Sequence, residues 1–127
     1  MQKITPFLWF NGQAEEAMNF YVAIFKNSKA GAVTRCGDGG PGPKGSVMTA
    51  TFQLDGQEFM ALNGGPVFQF SQAISFIVPC KTQKELDTMW KKLSAGGQKV
   101  QCGWLKDKFG LSWQVVFAGM DKLVSAK

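Results

Sequence analysis

Histidine is missing from this 127-residue chain, and no other absence removes as much chemistry. Without imidazole there is no ordinary proton shuttle near neutral pH and no nitrogen ligand for a transition metal. Arginine is nearly missing: Arg35 is the single guanidinium, whereas recognition of bases and phosphates usually recruits several. Nucleic acid is therefore not an expected partner. Cysteine is scarce and odd in number, with Cys36, Cys80 and Cys102 far apart. That spacing argues against a disulfide framework or a zinc site, and for reduced thiols in a cytoplasmic protein. No apolar run approaches the ~20 residues needed to span a bilayer, so no membrane partner is expected. The opening "MQKITPFLWFNG" has one lysine and no small-residue cleavage site, and reads as a first strand rather than a leader peptide.

What is present is aromatic and globular: 45% hydrophobic residues, 18% charged, eleven Phe and four Trp. A chain this long folding as one domain should bury roughly two-thirds of its unfolded surface. The net charge of +5 is unevenly placed. Residues 1–63 carry five basic and five acidic side chains, whereas residues 64–127 carry nine and four. Lys84, Lys91 and Lys92 fall on one predicted helix, and Lys106 and Lys108 flank a predicted turn. A solvated lysine face accounts for them, with attraction of anions as the functional alternative.

The order of elements is strand–helix–strands, given twice. "ITPFLWF" (4–10) is an apolar strand, and Asn11-Gly12 breaks it and is placed to cap a helix. Over 13–26, Ala14, Ala17, Met18, Tyr21, Ile24 and Phe25 follow helical spacing and form one buried stripe. A strand over 30–36 precedes "GDGGPGPKG" (37–45), a loop rich in glycine and proline. Its Gly37, Gly39 and Gly42 imitate a nucleotide-binding spacing, but two prolines and no following helix make that accidental. "SVMTATFQL" and "QEFMALN" form a hairpin around Asp55-Gly56. In the second half "AISFIV" (73–78) is a strand, and Thr82 with Glu85 matches a capping box. Leu86, Met89, Trp90 and Leu93 supply a helical stripe, and Gly96-Gly97 ends it. "KVQCGW", a turn over Lys106 to Gly110 and "LSWQVVF" complete the strands, leaving 118–127 as a loose tail or short helix. Each half is too small to bury both faces of its sheet, so the halves must share a core or pair with another chain.

A tandem βαβββ arrangement resembles the vicinal oxygen chelate superfamily, which includes glyoxalase I, bleomycin-resistance proteins and extradiol dioxygenases. "PFLWFNGQAEEAMNFY" (6–21), "FQLDGQEFMALNGGP" (52–66), "FSQAISFIV" (70–78) and "CGWLKDKFGLSWQVV" (102–116) resemble its PhnB-like branch, members of which are often labelled 3-demethylubiquinone 3-methyltransferase. The resemblance implies an α+β fold of two modules, 1–66 and 67–127, in one domain whose curved mixed sheets form a cup around a ligand, usually in a homodimer. It also implies where metal ligands would stand: Thr5, Pro6 or Phe7; Leu62 or Asn63; Ala73 or Ser75; and Gln114. None is His, Asp or Glu, and the histidine common after "NGGP" is replaced by Val67. Amide and hydroxyl groups hold a divalent ion poorly, so neither metal nor other cofactor is expected.

Acid–base chemistry would fall to Glu58, Asp107, Tyr21 or the cysteines. Asp107 reads as a turn residue bonded to its own backbone, Tyr21 as packed, and Cys80 and Cys102 as inert apolar thiols. What remains is a cup lined by Phe7, Trp9, Met60, Phe68 and Trp104, with Asn63, Ser75 and Gln114 as neutral hydrogen-bonders. The expected function is metal-independent binding of a small, flat, hydrophobic or aromatic molecule. The alternatives are an enzyme of the glyoxalase or dioxygenase type, a quinone methyltransferase, or a purely structural dimer.

Overall fold

The computed structural model describes residues 4–39, 42–101 and 103–118. The chain divides into two compact units, Met1–Gln69 and Phe70–Lys127, each holding one helix and one four-stranded mixed sheet.

In the first unit β1 (Phe7–Phe10) leads to α1 (Ala14–Ile24), followed by the meander β2 (Lys29–Arg35), β3 (Val47–Leu54) and β4 (Gln57–Asn63). The sheet order is β1-β4-β3-β2, with β1 parallel to β4 and the other pairs antiparallel. Asp55 and Gly56 both have positive φ, so the expected hairpin closes through a two-residue turn that matches strand twist. α1 lies on one face, where Leu8, Phe10, Ala50, Phe52, Leu54, Phe59 and Ala61 point and are buried. The helix meets them with Ala14, Ala17, Met18 and Tyr21, as its periodicity predicts. Phe52 stacks on Phe59 at 5.5 Å and faces Tyr21 at 6.2 Å. Each such ring contributes about 2–3 kcal/mol through burial.

The start of α1 departs from expectation. Neither Asn11 nor Gly12 caps it; the cap position is Gln13, without a side-chain bond. Asn63, at the far end of β4, does this instead. Its Oδ1 accepts the Ala14 N–H at 2.8 Å while its Nδ2 donates to the Val47 carbonyl at 3.0 Å. β2, an edge strand, is irregular: one extra residue is accommodated between Ala30 and Val33. There Thr51 Oγ1 accepts the Ala32 N–H and donates to the Ala32 carbonyl.

In the second unit β5 (Ser75–Cys80) leads to α2 (Gln83–Ser94), then β6 (Gln98–Lys99), β7 (Trp104–Lys106) and β8 (Ser112–Phe117), in sheet order β5-β8-β7-β6. β5 runs two residues later than expected and takes in Pro79, tolerable because β5 is an edge. The capping box forms with a shift. Thr82 Oγ1 accepts the Glu85 N–H at 3.1 Å, but the Glu85 carboxylate takes the N–H of Lys81, one residue before the cap.

"KVQCGW" is not one strand. The chain reverses after Lys99, with Val100 and Trp104 bonded across the turn, and Gly103 at φ +80° sits so close to β8 that a Cβ would lie 2.6 Å from the Val115 carbonyl oxygen. Only glycine satisfies both conditions, which forces the break. Cys102 and, apart from Ala118, the expected tail lie outside the described residues.

Asp107 organises the β7–β8 turn. It is 2% exposed, and Oδ1 accepts the N–H groups of Phe109 and Leu111 at 2.9 and 3.0 Å. Oδ2 accepts the Trp113 indole N–H at 2.8 Å. The expected turn carboxylate is therefore also a buried clamp on the aromatic core. Asp107→Ala should cost about 2–4 kcal/mol, because three donors lose a charged acceptor. Urea unfolding followed by tryptophan fluorescence measures it, and Asp107→Asn should fall between the two.

Candidate functional site

An α-helix covers one face of each sheet, and the residues foreseen as ligand-binding mostly stand on the other. In β1 and β4 the register sets Phe7 beside Met60 and Trp9 beside Leu62, with Thr51 and Thr49 completing those rows on β3. Alternation sends these side chains away from α1. Phe7 remains 55% exposed and Phe68 62%, unlike the buried rings on the α1 side.

Trp9 is held from three directions. Its indole N–H donates to the Gly65 carbonyl at 2.9 Å, and its ring meets Phe68 edge-to-face at 4.9 Å. It also lies flat against Gly64, where a Cβ would be 2.2 Å from the ring. The "NGGP" segment thus supplies a backbone floor for an aromatic wall. Asn63 does not join this face. It is paired with Phe10, points to the α1 side, and both ends of its amide are occupied there.

On the second sheet, Trp104, Gln114 and Ile77 form one row across β7, β8 and β5, and Lys106, Ser112 and Ser75 form the next. Both rows face away from α2, since the intervening Leu105, Trp113 and Phe76 face the helix, with Leu105 and Trp113 buried. Gln114 Nε2 bonds Ser75 Oγ at 2.9 Å. Ser75, Trp104 and Gln114, three of the expected lining residues, are therefore neighbours, with Ser112 and Lys106 beside them. Two-residue alternation along the last strand already puts Ser112 on the face of Gln114, whereas Lys106 reads from the sequence as a residue flanking a turn.

Several of the positions that the resemblance offers for a metal are poorly suited to one. Phe7 and Leu62 are hydrocarbon, Asn63 is spent on the helix, and Ser75 and Gln114 bond one another. Among the described residues no group of three His, Cys, Asp or Glu side chains is placed to hold an ion. Two of the titratable candidates are packed inward. Tyr21 is fully buried in the core. Cys80 is buried beneath α2, with its thiol 3.8 Å from the Val78 carbonyl. Burial, and secondarily the nearby Glu85 carboxylate, push the thiol upward from its ordinary pKa. It therefore stays protonated at neutral pH.

Gly64→Ala should displace the Trp9 ring, breaking its bond to Gly65 and its contact with Phe68. Fold stability should drop by about 1–3 kcal/mol, as overpacking does, and tryptophan emission should change in the native baseline. Unchanged emission would show that the floor is dispensable.

Comparison with known proteins agrees with this architecture. The sequence model of the family described as 3-demethylubiquinone-9 3-methyltransferase matches residues 2–116. No match was found among curated proteins. Among solved structures, the chain is similar to a putative 3-demethylubiquinone-9 3-methyltransferase, PhnB protein, from Bacillus cereus. They share 43% identity at a TM-score of 0.85, covering 92% of this chain and 100% of that one. It is similar in fold to protein PA1353 from Pseudomonas aeruginosa, at 22% identity and TM-score 0.72, covering 92% and 98%. The fosfomycin resistance protein FosX from Listeria monocytogenes, solved with Mn(II) and sulfate, shares the fold at 13% identity and TM-score 0.63, covering 98% and 96%. Alongside the two βαβββ units, the family model's match over residues 2–116 and the 43% identity to the PhnB protein place this chain in the family described as 3-demethylubiquinone-9 3-methyltransferase.

Proposed function

We propose that this protein binds a small, flat, hydrophobic or aromatic molecule without a catalytic metal, acting as a cytoplasmic homodimer. The observation that carries the reading is the makeup of the second unit's sheet face turned from α2. It sets the Trp104 ring beside the Gln114 amide and the Ser75 hydroxyl. That mixture suits an apolar ring with a few hydrogen-bonding edges. Exposed Ile4, Val67 and Ile74 offer further apolar area suited to a second copy of the chain.

Methyl transfer, which the family description carries, finds no support in the geometry. Most methyltransferases seat their nucleoside cofactor on a doubly wound parallel sheet, at a glycine-rich turn that opens a helix. Here each sheet has a single parallel pair, and α1 starts from Gln13 with its first N–H taken by Asn63. Metal-assisted turnover is disfavoured by the donor set described above, whatever FosX does with Mn(II).

Titrating the protein with a planar hydrophobe such as 2-naphthalenemethanol should quench tryptophan emission saturably and leave the compound unchanged by mass spectrometry. Appearance of a product would favour an enzyme, and absence of binding across a broad panel of aromatics would favour a structural dimer. Gln114→Glu should show no saturable heat with Zn²⁺, Mn²⁺ or Ni²⁺ in calorimetry, since no imidazole joins it; tight binding would overturn the metal-free reading.

A further inference from the structure

We infer that the second unit's sheet face recognises an acidic group on the ligand, through Lys106, Ser112, Ser75 and Gln114, so that the molecule taken is a planar aromatic acid. This rests on the binding function proposed above and sharpens it, because the aromatic lining by itself implies no charge.

The starting observation is an unmet polar atom. Ser112 is 1% exposed, and its Oγ is the one buried side-chain nitrogen or oxygen among the described residues with no hydrogen-bond partner. A buried hydroxyl left unpaired is costly and uncommon. Trp113 beside it points to α2, so Ser112 points the other way, into the row it shares with Lys106 and Ser75. Directly opposed side chains on neighbouring strands have Cβ atoms roughly 5 Å apart, which puts the Lys106 stem and both serines within reach of one small group.

A count of donors fixes the sign of that group. Lys106 brings three N–H bonds and a positive charge. Ser112 brings an unused O–H. Gln114 Nε2 donates to Ser75 Oγ at 2.9 Å, which leaves the Ser75 O–H and one amide N–H. Donors therefore outnumber spare acceptors. In this unit Glu85 and Asp87 lie on α2, and Asp107 turns its oxygens to the turn amides and to Trp113. The matching ligand edge is a carboxylate or other acceptor-rich oxyanion. Trp104 and Ile77, in the adjacent row, would meet the apolar ring to which it is attached.

Calorimetry with 2-naphthoate and its neutral counterpart 2-naphthalenemethanol, at a fixed 0.15 M salt, tests this. The acid should bind about tenfold more tightly or better, the size of one charge-assisted hydrogen bond. Lys106→Met and Ser112→Ala should each cut that ratio severalfold while leaving affinity for the alcohol within about twofold. Lys91→Met on α2 should leave the ratio intact. Ser112→Ala should also raise the melting temperature of the ligand-free protein by a few degrees, roughly 2–5 °C, because it removes an unpaired hydroxyl.

Equal affinity of the wild type for both compounds, or a ratio that survives Lys106→Met, overturns the acid preference and leaves the binding function standing. Failure of both compounds to bind overturns the two readings together. A lowered melting temperature in Ser112→Ala would show that the hydroxyl serves the fold, and would remove it from the site.

Discussion

A helix laid across a four-stranded sheet shelters one side of it, and the rest of this molecule's character follows from that geometric shortfall. On the sheltered side each unit behaves as an ordinary core. Phe52, Phe59 and Tyr21 stack in the first, and Trp113, Leu105 and Leu93 are sealed in the second. On the other side the composition is neither core nor solvent face. Rings stand among hydroxyls and amides, and in the second unit the cation Lys106 is on a strand rather than a loop. Such a surface gains little from water and little from pure hydrocarbon.

The rigidity of that surface comes from contacts made behind or beneath it. Asp107 fastens three donors in one short turn, and so fixes where β8 begins and which way Trp113 and its neighbours Ser112 and Gln114 face. Asn63 joins the start of α1 to the end of β4 and to Val47. The backbone at Gly64 and Gly65 supports Trp9. Each of these groups acts from behind the face, by removing a rotameric choice from a neighbouring residue.

Local chemistry was legible in the sequence wherever one short window contained all of it. The Asp55-Gly56 hairpin, the Thr82 cap, the α1 and α2 stripes and the Asp107 turn depend on residues within a turn or two of one another. The two-unit order followed from repeating those signals. Distant partnerships were not legible. Asn63 reads as a free amide because its partner Ala14 is nearly fifty residues away, and only the parallel pairing of β4 with β1 brings them together. "KVQCGW" reads as one strand because the reason for its break is the Val115 carbonyl pressed against Gly103. Lys106 reads as a solvated turn residue until Leu105 is seen to occupy the helix side, which leaves Lys106 beside Ser112 and Gln114.

The irregularity in β2 bears on how this chain avoids its own kind. An outermost strand with a full row of free amides invites another molecule to zip onto it and start a fibril. Here Thr51 holds both main-chain groups of Ala32, and the extra residue accommodated beside it bends the outer rim. A visiting strand would therefore lose register partway along. The extra residue, steadied by a hydroxyl on the neighbouring strand, thus makes the outer edge of β2 a poor template for an added strand.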